Sequence, residues 1–106
     1  MAKFLVNGNY TPDGAKGLLK EGGTSRHKSV ESMVNSLGGK IEAFYYAFGD
    51  YDVYAIVEVP DSVTAAAMSM AINSSGLVEV TLTHLLSPAE IDAAAKKTVG
   101  YRAPGA

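Results

Sequence analysis

The chain has 106 residues, of which 47% are hydrophobic, and it contains no cysteine. This length fits one domain with one sizeable core, and the lack of cysteine excludes disulfides, thiolate nucleophiles, iron–sulfur clusters and thiolate zinc sites. Nine basic and eleven acidic side chains give a formal net charge of −2, so the chain lacks the basic excess that nucleic acids or anionic membranes attract.

A strand followed by two short helices is predicted at the start of the chain. Residues 3–10 alternate with the two-residue period of a strand. A threonine, a proline and an aspartate then favour a helix start, and we expect a helix over 12–20. The second helix carries apolar residues at helical spacing, with Thr24 or Ser25 as its cap and a glycine pair at 38–39 as its end.

An aromatic run with a glycine in its middle predicts a β-hairpin with arms over 41–47 and 51–59. Four tyrosines lie within the ten residues 45–54, and buried phenol hydroxyls normally need hydrogen-bond partners. Gly49 is expected to adopt a positive φ angle at the turn. The hairpin is therefore the region where we expect a pocket or an interface.

The second half of the chain is predicted to add a helix, a strand and another helix. An alanine- and methionine-rich helix is expected over 63–75, and a strand over 77–86. Ser87 and Glu90 have capping-box spacing, which predicts a final helix to about Lys97. The order strand, helix, strand, strand, helix, strand is typical of the ferredoxin-like α+β sandwich, here with an additional C-terminal helix.

The chain is expected to form one domain over residues 1–97, followed by a tail over 98–106 that stays loose unless a partner orders it. Its start turns polar after three apolar residues, which is too short for a signal-peptide core or a membrane span. We therefore expect a cytoplasmic protein with neither a membrane nor a nucleic acid as partner.

One face of the predicted sheet carries large apolar side chains that the helices leave uncovered. Strand alternation assigns to the helix side Val6, Ala43, Tyr45, Ala55, Val57, Val80 and Leu82. It assigns to the open face Leu5, Asn7, Phe44, Tyr46, Phe48, Tyr54, Ile56, Glu58, Thr81, Thr83 and Leu85. Because this surface is too apolar to remain in water, we expect a second copy of the chain to cover it in a homodimer or higher oligomer.

Three segments resemble the GYD domain family, and together they span almost the whole chain: residues 10–18, 43–52 and 90–94. The residues that give the family its name are placed on Gly49, Tyr51 and Asp52. The resemblance implies a small bacterial protein of ferredoxin-like, dimeric α/β-barrel type. It implies no established reaction and no catalytic residues.

The candidate ligand site lies on the hairpin and on the strand beside it. An aspartate beside phenols can orient a water molecule or accept a substrate proton. The candidate ligand-binding residues are Asn7, Tyr46, Gly49, Tyr51, Asp52 and Tyr54. Turn geometry alone also explains the glycine and the aspartate, so both interpretations stay open.

The basic start of the second helix is a second candidate site. Thr24, Arg26 and His27 lie where the backbone amides of a helix start can bind a phosphate or a carboxylate. The spacing of a Walker loop or a dinucleotide fingerprint is missing, and a solvated helix start explains the cluster as well. Two histidines far apart in sequence predict no metal site, and no cofactor is expected.

These observations favour a small homo-oligomeric binding or assembly module with a small-molecule site near the tyrosine-rich hairpin. The alternative is a cofactor-independent enzyme, monooxygenase-like or isomerase-like, of the dimeric α/β-barrel type, which rests on fold analogy alone. A purely structural oligomer is a third interpretation. The sequence does not decide whether the chain is an enzyme.

Overall fold

A computed structural model describes all 106 residues and contains four strands and four helices. In chain order they are β1 (Ala2–Tyr10), α1 (Pro12–Glu21), α2 (Gly23–Ser36), β2 (Lys40–Tyr46), β3 (Val53–Val59), α3 (Ser62–Ser74), β4 (Val78–Leu85) and α4 (Pro88–Ala95). The strands form one antiparallel sheet in the order β2-β3-β1-β4. This is the ferredoxin-like α+β fold with an added C-terminal helix, as the sequence predicts.

The hydrophobic core lies between the sheet and the helices α2 and α3. Buried residues alternate along all of β3, in the middle of β1 and at the start of β4, because alternate side chains of a strand point to the same face. Val34 of α2 and the α3 residues Ala65 and Met68 close this layer from the helix side. No helix has the length and apolar character that crossing a bilayer requires.

Helices α1 and α2 meet at Gly22, whose φ of 89° lies in the left-handed region that favours glycine. This glycine ends α1 by donating its backbone N–H to the carbonyl of Leu18 and then serves as the N-cap of α2. The start of α2 has no side-chain cap, so the expected capping by Thr24 or Ser25 is wrong. The positive φ lets the chain turn at one residue between the two helices.

A β-bulge in β2 reverses which of its side chains face the helices. The pairing of β2 with β3 shifts register between Ile41 and Ala43. Because side chains alternate along a strand, one extra residue moves Phe44 and Tyr46 to the helix side. Ala43 and Tyr45 lie on the open face, so the predicted faces of these four side chains are wrong. In the other three strands the burial agrees with the predicted faces.

The hairpin loop that joins β2 to β3 is six residues long, from 47 to 52. It is closed by a hydrogen bond of 2.8 Å from the backbone N–H of Ala47 to the carbonyl of Asp52. The expectation of a positive φ at Gly49 is wrong, since none of the four glycines with positive φ lies in this loop. A loop of this length does not need the left-handed residue that a two-residue hairpin turn requires.

The last 21 residues project away from the sheet and helices. Every residue from Leu86 to Ala106 is exposed, and we call this segment the C-terminal arm. The predicted capping box at its start is confirmed, since Ser87 and Glu90 each bond the other's backbone N–H with their side chains. The radius of gyration is 17.0 Å, compared with about 13 Å for a compact chain of this length. The arm accounts for this elongation.

Candidate functional site

A cleft of about 350 Å³ lies where α1, α2 and α3 meet the adjacent ends of β1 and β4. We call it the helix-side cleft. Beneath it lies a smaller cavity of about 50 Å³ with an almost wholly apolar lining. The side chains that line both spaces are Tyr10, Arg26, Met33, Ile72 and Val78. The cleft and the inner cavity therefore lie next to each other on either side of these five side chains.

Tyr10 is the last residue of β1 and is placed by contacts at both of its ends. Its backbone N–H donates to the Oδ2 of Asp52 at 2.9 Å. In the strand it follows Phe4 and Val6 on the helix side, so its ring extends from the core into the cleft. Its phenol is thus held at the boundary between the apolar core and the open part of the cleft.

Arg26 lies in the first turn of α2, and its side chain is partly buried. A cation at this end of a helix is disfavoured by the helix dipole. The two ion pairs of the structure are Lys3 with Glu42 and Lys40 with Glu58. Arg26 thus contributes a guanidinium to the cleft wall without a carboxylate partner.

The phenol of Tyr46 completes a polar cluster with Tyr10 and Arg26. Its hydroxyl donates to the carbonyl of Gly23 at 2.9 Å, which fixes the hairpin to the start of α2. Burial and the adjacent Tyr10 hydroxyl raise the pKa of Tyr46 to about 12. Burial also raises the pKa of Tyr10, while Arg26 and Tyr46 act to lower it. Both phenols therefore remain protonated at neutral pH and can donate hydrogen bonds.

Asp52 locks the hairpin loop onto the end of β1. Its carboxylate accepts from Tyr10, while its backbone N–H donates to the carbonyl of Gly8 at 2.9 Å and to the Oδ1 of Asn9 at 3.1 Å. Together with Tyr10 and Tyr46 it also lines a groove of about 380 Å³ beside α1. Asp52 thus positions Tyr10 in addition to bordering a candidate ligand site.

The remaining candidates on the hairpin and β1 lie elsewhere. Asn7 and Tyr54 are paired across β1 and β3 on the open face, away from Tyr46. The Tyr51 ring packs against Tyr54 edge to face at 5.8 Å. Gly49 lies exposed in the hairpin loop. The six candidate ligand-binding residues are therefore divided between the two faces of the sheet and the loop.

The three candidate anion-binding residues also separate. Arg26 lines the helix-side cleft, whereas Thr24 and His27 border a shallow depression beside Phe44. The imidazole of His27 stacks on the Phe44 ring with a centroid distance of 4.6 Å. Arg26 thus shares a wall with Tyr10 rather than with its neighbours in sequence.

Tyr10 and the apolar cleft residues Met33 and Ile72 were not predicted from the sequence as site residues. Tyr10 had a usable signal, because it ends an alternating strand on the core side and its phenol then needs a partner at the core boundary. Met33 and Ile72 had no such signal, since apolar residues that line a cleft follow the same helical pattern as those that fill a core.

The comparisons with known proteins agree with the resemblance noted in the sequence. The family model of the GYD domain matches residues 4–95, from within β1 to the last residue of α4. No curated protein and no solved structure matches the chain.

Proposed function

This chain belongs to the GYD domain family, and we propose that it is a homo-oligomeric binding module. A second copy covers the open face of the sheet, and each copy carries a small-molecule site where the tyrosine-rich hairpin meets α1 and α2. The observation that carries the proposal is the open face itself, because its central strands bear apolar side chains that remain partly exposed.

The open face has the composition of an interface. Leu5, Tyr54 and Ile56 lie side by side on its central strands and are only partly buried by their neighbours. Tyr45 on the edge strand is 71% exposed. Contiguous apolar surface rimmed by polar groups is typical of contacts between proteins, and tyrosine is enriched in such contacts.

We include the C-terminal arm in the proposed interface because the open face alone is too small to form a stable one. Four strands spaced about 4.8 Å apart, each about seven residues long at 3.3 Å per residue, cover roughly 450 Å². A stable interface buries about 800 Å² on each partner. The arm exposes Ile91, Val99 and Tyr101, each more than half accessible, and its packing on the second copy supplies the remaining area.

Asn7 adds a further argument from the centre of the open face. Its side-chain Oδ1 is buried and accepts no hydrogen bond. An unpaired buried acceptor costs about 1–3 kcal/mol. A small rotation that pairs this amide with a donor of a covering chain would therefore favour association.

The test is the mass of the protein in solution, measured by size exclusion with light scattering. Ile56→Lys places a charge on the open face, and Leu19→Lys makes the same change on α1, where Leu19 is 87% exposed. We expect the wild type and Leu19→Lys at no less than twice the 11.1 kDa of one chain. We expect Ile56→Lys to be a folded monomer, because an unpaired charge in an apolar interface is costly. A monomeric wild type would refute the assembly.

A cofactor-independent enzyme, monooxygenase-like or isomerase-like, is the second candidate function. It is favoured by the helix-side cleft, which brings the protonated phenol of Tyr10 and the guanidinium of Arg26 next to an apolar cavity. Mass spectrometry of a metabolite extract incubated with the protein separates the two functions. A retained but unaltered molecule supports the binding module, and a time-dependent change of mass supports the enzyme.

A further inference from the structure

We propose that the helix-side cleft binds a small organic monoanion, a carboxylate with an apolar body, and that Arg26 holds the carboxylate group. The proposal rests on the proposed function in one respect, that the chain binds a small molecule near the hairpin. It goes further by naming the chemical class of the ligand and the residue that selects it.

The charge of Arg26 is the first argument. A guanidinium is always ionised and presents a planar fork of donors that matches a carboxylate. A charge that is withdrawn from water is stabilised by a partner of opposite charge, and neither ion pair of the structure includes the partly buried Arg26. Arg26 and Tyr10 line the helix-side cleft together, and Tyr10 and Tyr46 line the neighbouring groove beside α1. An anion at this place would complete the cluster.

The shape of the two spaces is the second argument. Tyr10 and Arg26 border both the outer cleft and a small inner cavity whose wall is formed by Val30, Met33, Val34, Met68 and other core side chains. Methionine side chains are flexible and adapt to the shape of a bound group. A cavity that holds benzene measures about 150 Å³, so a ligand with its charged end at Arg26 would rest its apolar body on Leu18 and Ile72 in the outer cleft of about 350 Å³ rather than inside the inner cavity of about 50 Å³.

The charges at the rim limit the ligand to one negative charge. Asp13 and Glu21 border the outer cleft, and both are exposed. One guanidinium balances one carboxylate, whereas the second charge of a phosphate monoester would face these two acids without a cation of its own. The site therefore favours a carboxylate over a phosphate.

The experiment measures binding of four probes by titration calorimetry and by shifts of backbone amide signals in nuclear magnetic resonance. The four probes are benzoate and octanoate, each compared with its own neutral amide, and phenyl phosphate is added as a dianion for comparison with benzoate. The variant is Arg26→Gln, and the matched control is Lys28→Gln, which removes the same charge from an exposed position of the same helix. We expect the carboxylates to bind more tightly than their amides, with the largest shifts in α1 and the start of α2.

The expected effect of Arg26→Gln is a rise of the carboxylate dissociation constant by about tenfold or more, since charge-assisted paired hydrogen bonds are lost. Lys28→Gln should change it less than twofold. Should Arg26→Gln fail to fold, Arg26→Lys serves instead, because it keeps the charge and loses the fork; it should weaken binding by several fold.

Three results would overturn the inference. Equal affinity for octanoate and octanamide would remove the role of charge and leave a small-molecule site in place. Tighter binding of phenyl phosphate than of benzoate would show that the site selects a dianion. Absence of binding by all four probes at millimolar concentration would refute the carboxylate site, while the oligomer measured with Ile56→Lys would still stand or fall by its own result.

Discussion

Tyr46 gives the fold a dependence on alkaline pH. Its pKa is raised by burial to about 12 from an ordinary value of 10.0, so the folded state holds this proton more tightly than the unfolded chain does. The stabilisation is complete below about pH 10 and is lost as the pH rises towards 12. We expect the melting temperature of the wild type, measured between pH 8 and 12, to fall steeply as the pH rises. The fall should be shallower in Tyr46→Phe. Tyr101→Phe, in the exposed arm, controls for the removal of one phenol and should leave the curve unchanged.

Gly14 and Gly17 of α1 offer a pair of substitutions with opposite expected signs. A Cβ on Gly14 would collide with the backbone carbonyl of Leu77 at the start of β4, whereas a Cβ on Gly17 would meet nothing within 4 Å. Gly14→Ala should lower the free energy of unfolding by about 1–3 kcal/mol, because the backbone must move. Gly17→Ala should raise it by about 0.5–1 kcal/mol, the ordinary gain of alanine within a helix. Urea denaturation measures both, and a stabilised Gly14→Ala would contradict this close approach of α1 to β4.

Individual site residues were predictable from the sequence only where a residue type is unusual for its position in a strand or helix. Tyr46 and Arg26 were named because a phenol in an aromatic hairpin and a cation in the first helical turn are each unusual. Each of them shares a cleft or groove wall with Tyr10, which brings β1, α2 and β2 together, and the pairing of such distant elements depends on tertiary packing. Asp52 was named for its charge, while its bond to the Tyr10 backbone was not foreseen.

At the scale of the elements, the bulge in β2 decides which aromatic side chains belong to the core. Phe44 packs against α2 through His27, whereas its neighbour Tyr45 is 71% exposed. Phe44→Ala should destabilise the fold by about 2–3 kcal/mol, since a large apolar contact is lost. Tyr45→Ala should change the stability of the isolated chain by less than about 0.5 kcal/mol, as for other surface positions. If chemical denaturation shows a larger loss of stability for Tyr45→Ala than for Phe44→Ala, the bulge does not lie between Ile41 and Ala43.

The order and type of the elements follow from the sequence, because turn residues and hydrophobic periods agree with each other along most of the chain. The faces of β2 do not follow, since a bulge is one residue inserted into an otherwise regular alternation and leaves the local pattern unchanged. The break between α1 and α2 was located correctly, but its cap was not, because the glycine acts there through its φ angle rather than through a side chain.

At the scale of the whole molecule, the C-terminal arm should be needed for assembly and dispensable for folding. It contributes no buried residue to the core, so a chain ending at Leu86 should unfold at nearly the same temperature when both are measured as monomers. The same truncation should weaken self-association, because the sheet face alone is smaller than a stable interface requires. Calorimetry in the Ile56→Lys background tests the unchanged melting temperature. Analytical ultracentrifugation of the truncated wild type tests the weaker self-association. If the truncated chain associates as tightly as the full-length chain, the arm does not contribute to the interface between the copies.

The position of β1 in the sheet also has a consequence for synthesis of the chain. The first strand lies in the interior between β3 and β4, and Lys3 pairs with Leu85, which follows it by 82 positions. At about 5–20 residues per second, the ribosome needs roughly 4–16 s to extend the chain from β1 to β4. Until then an apolar strand with open backbone groups emerges without its final neighbours, and such long-range pairing is slow to form. The yield of the folded protein should therefore depend on chaperone capacity more than its small size suggests.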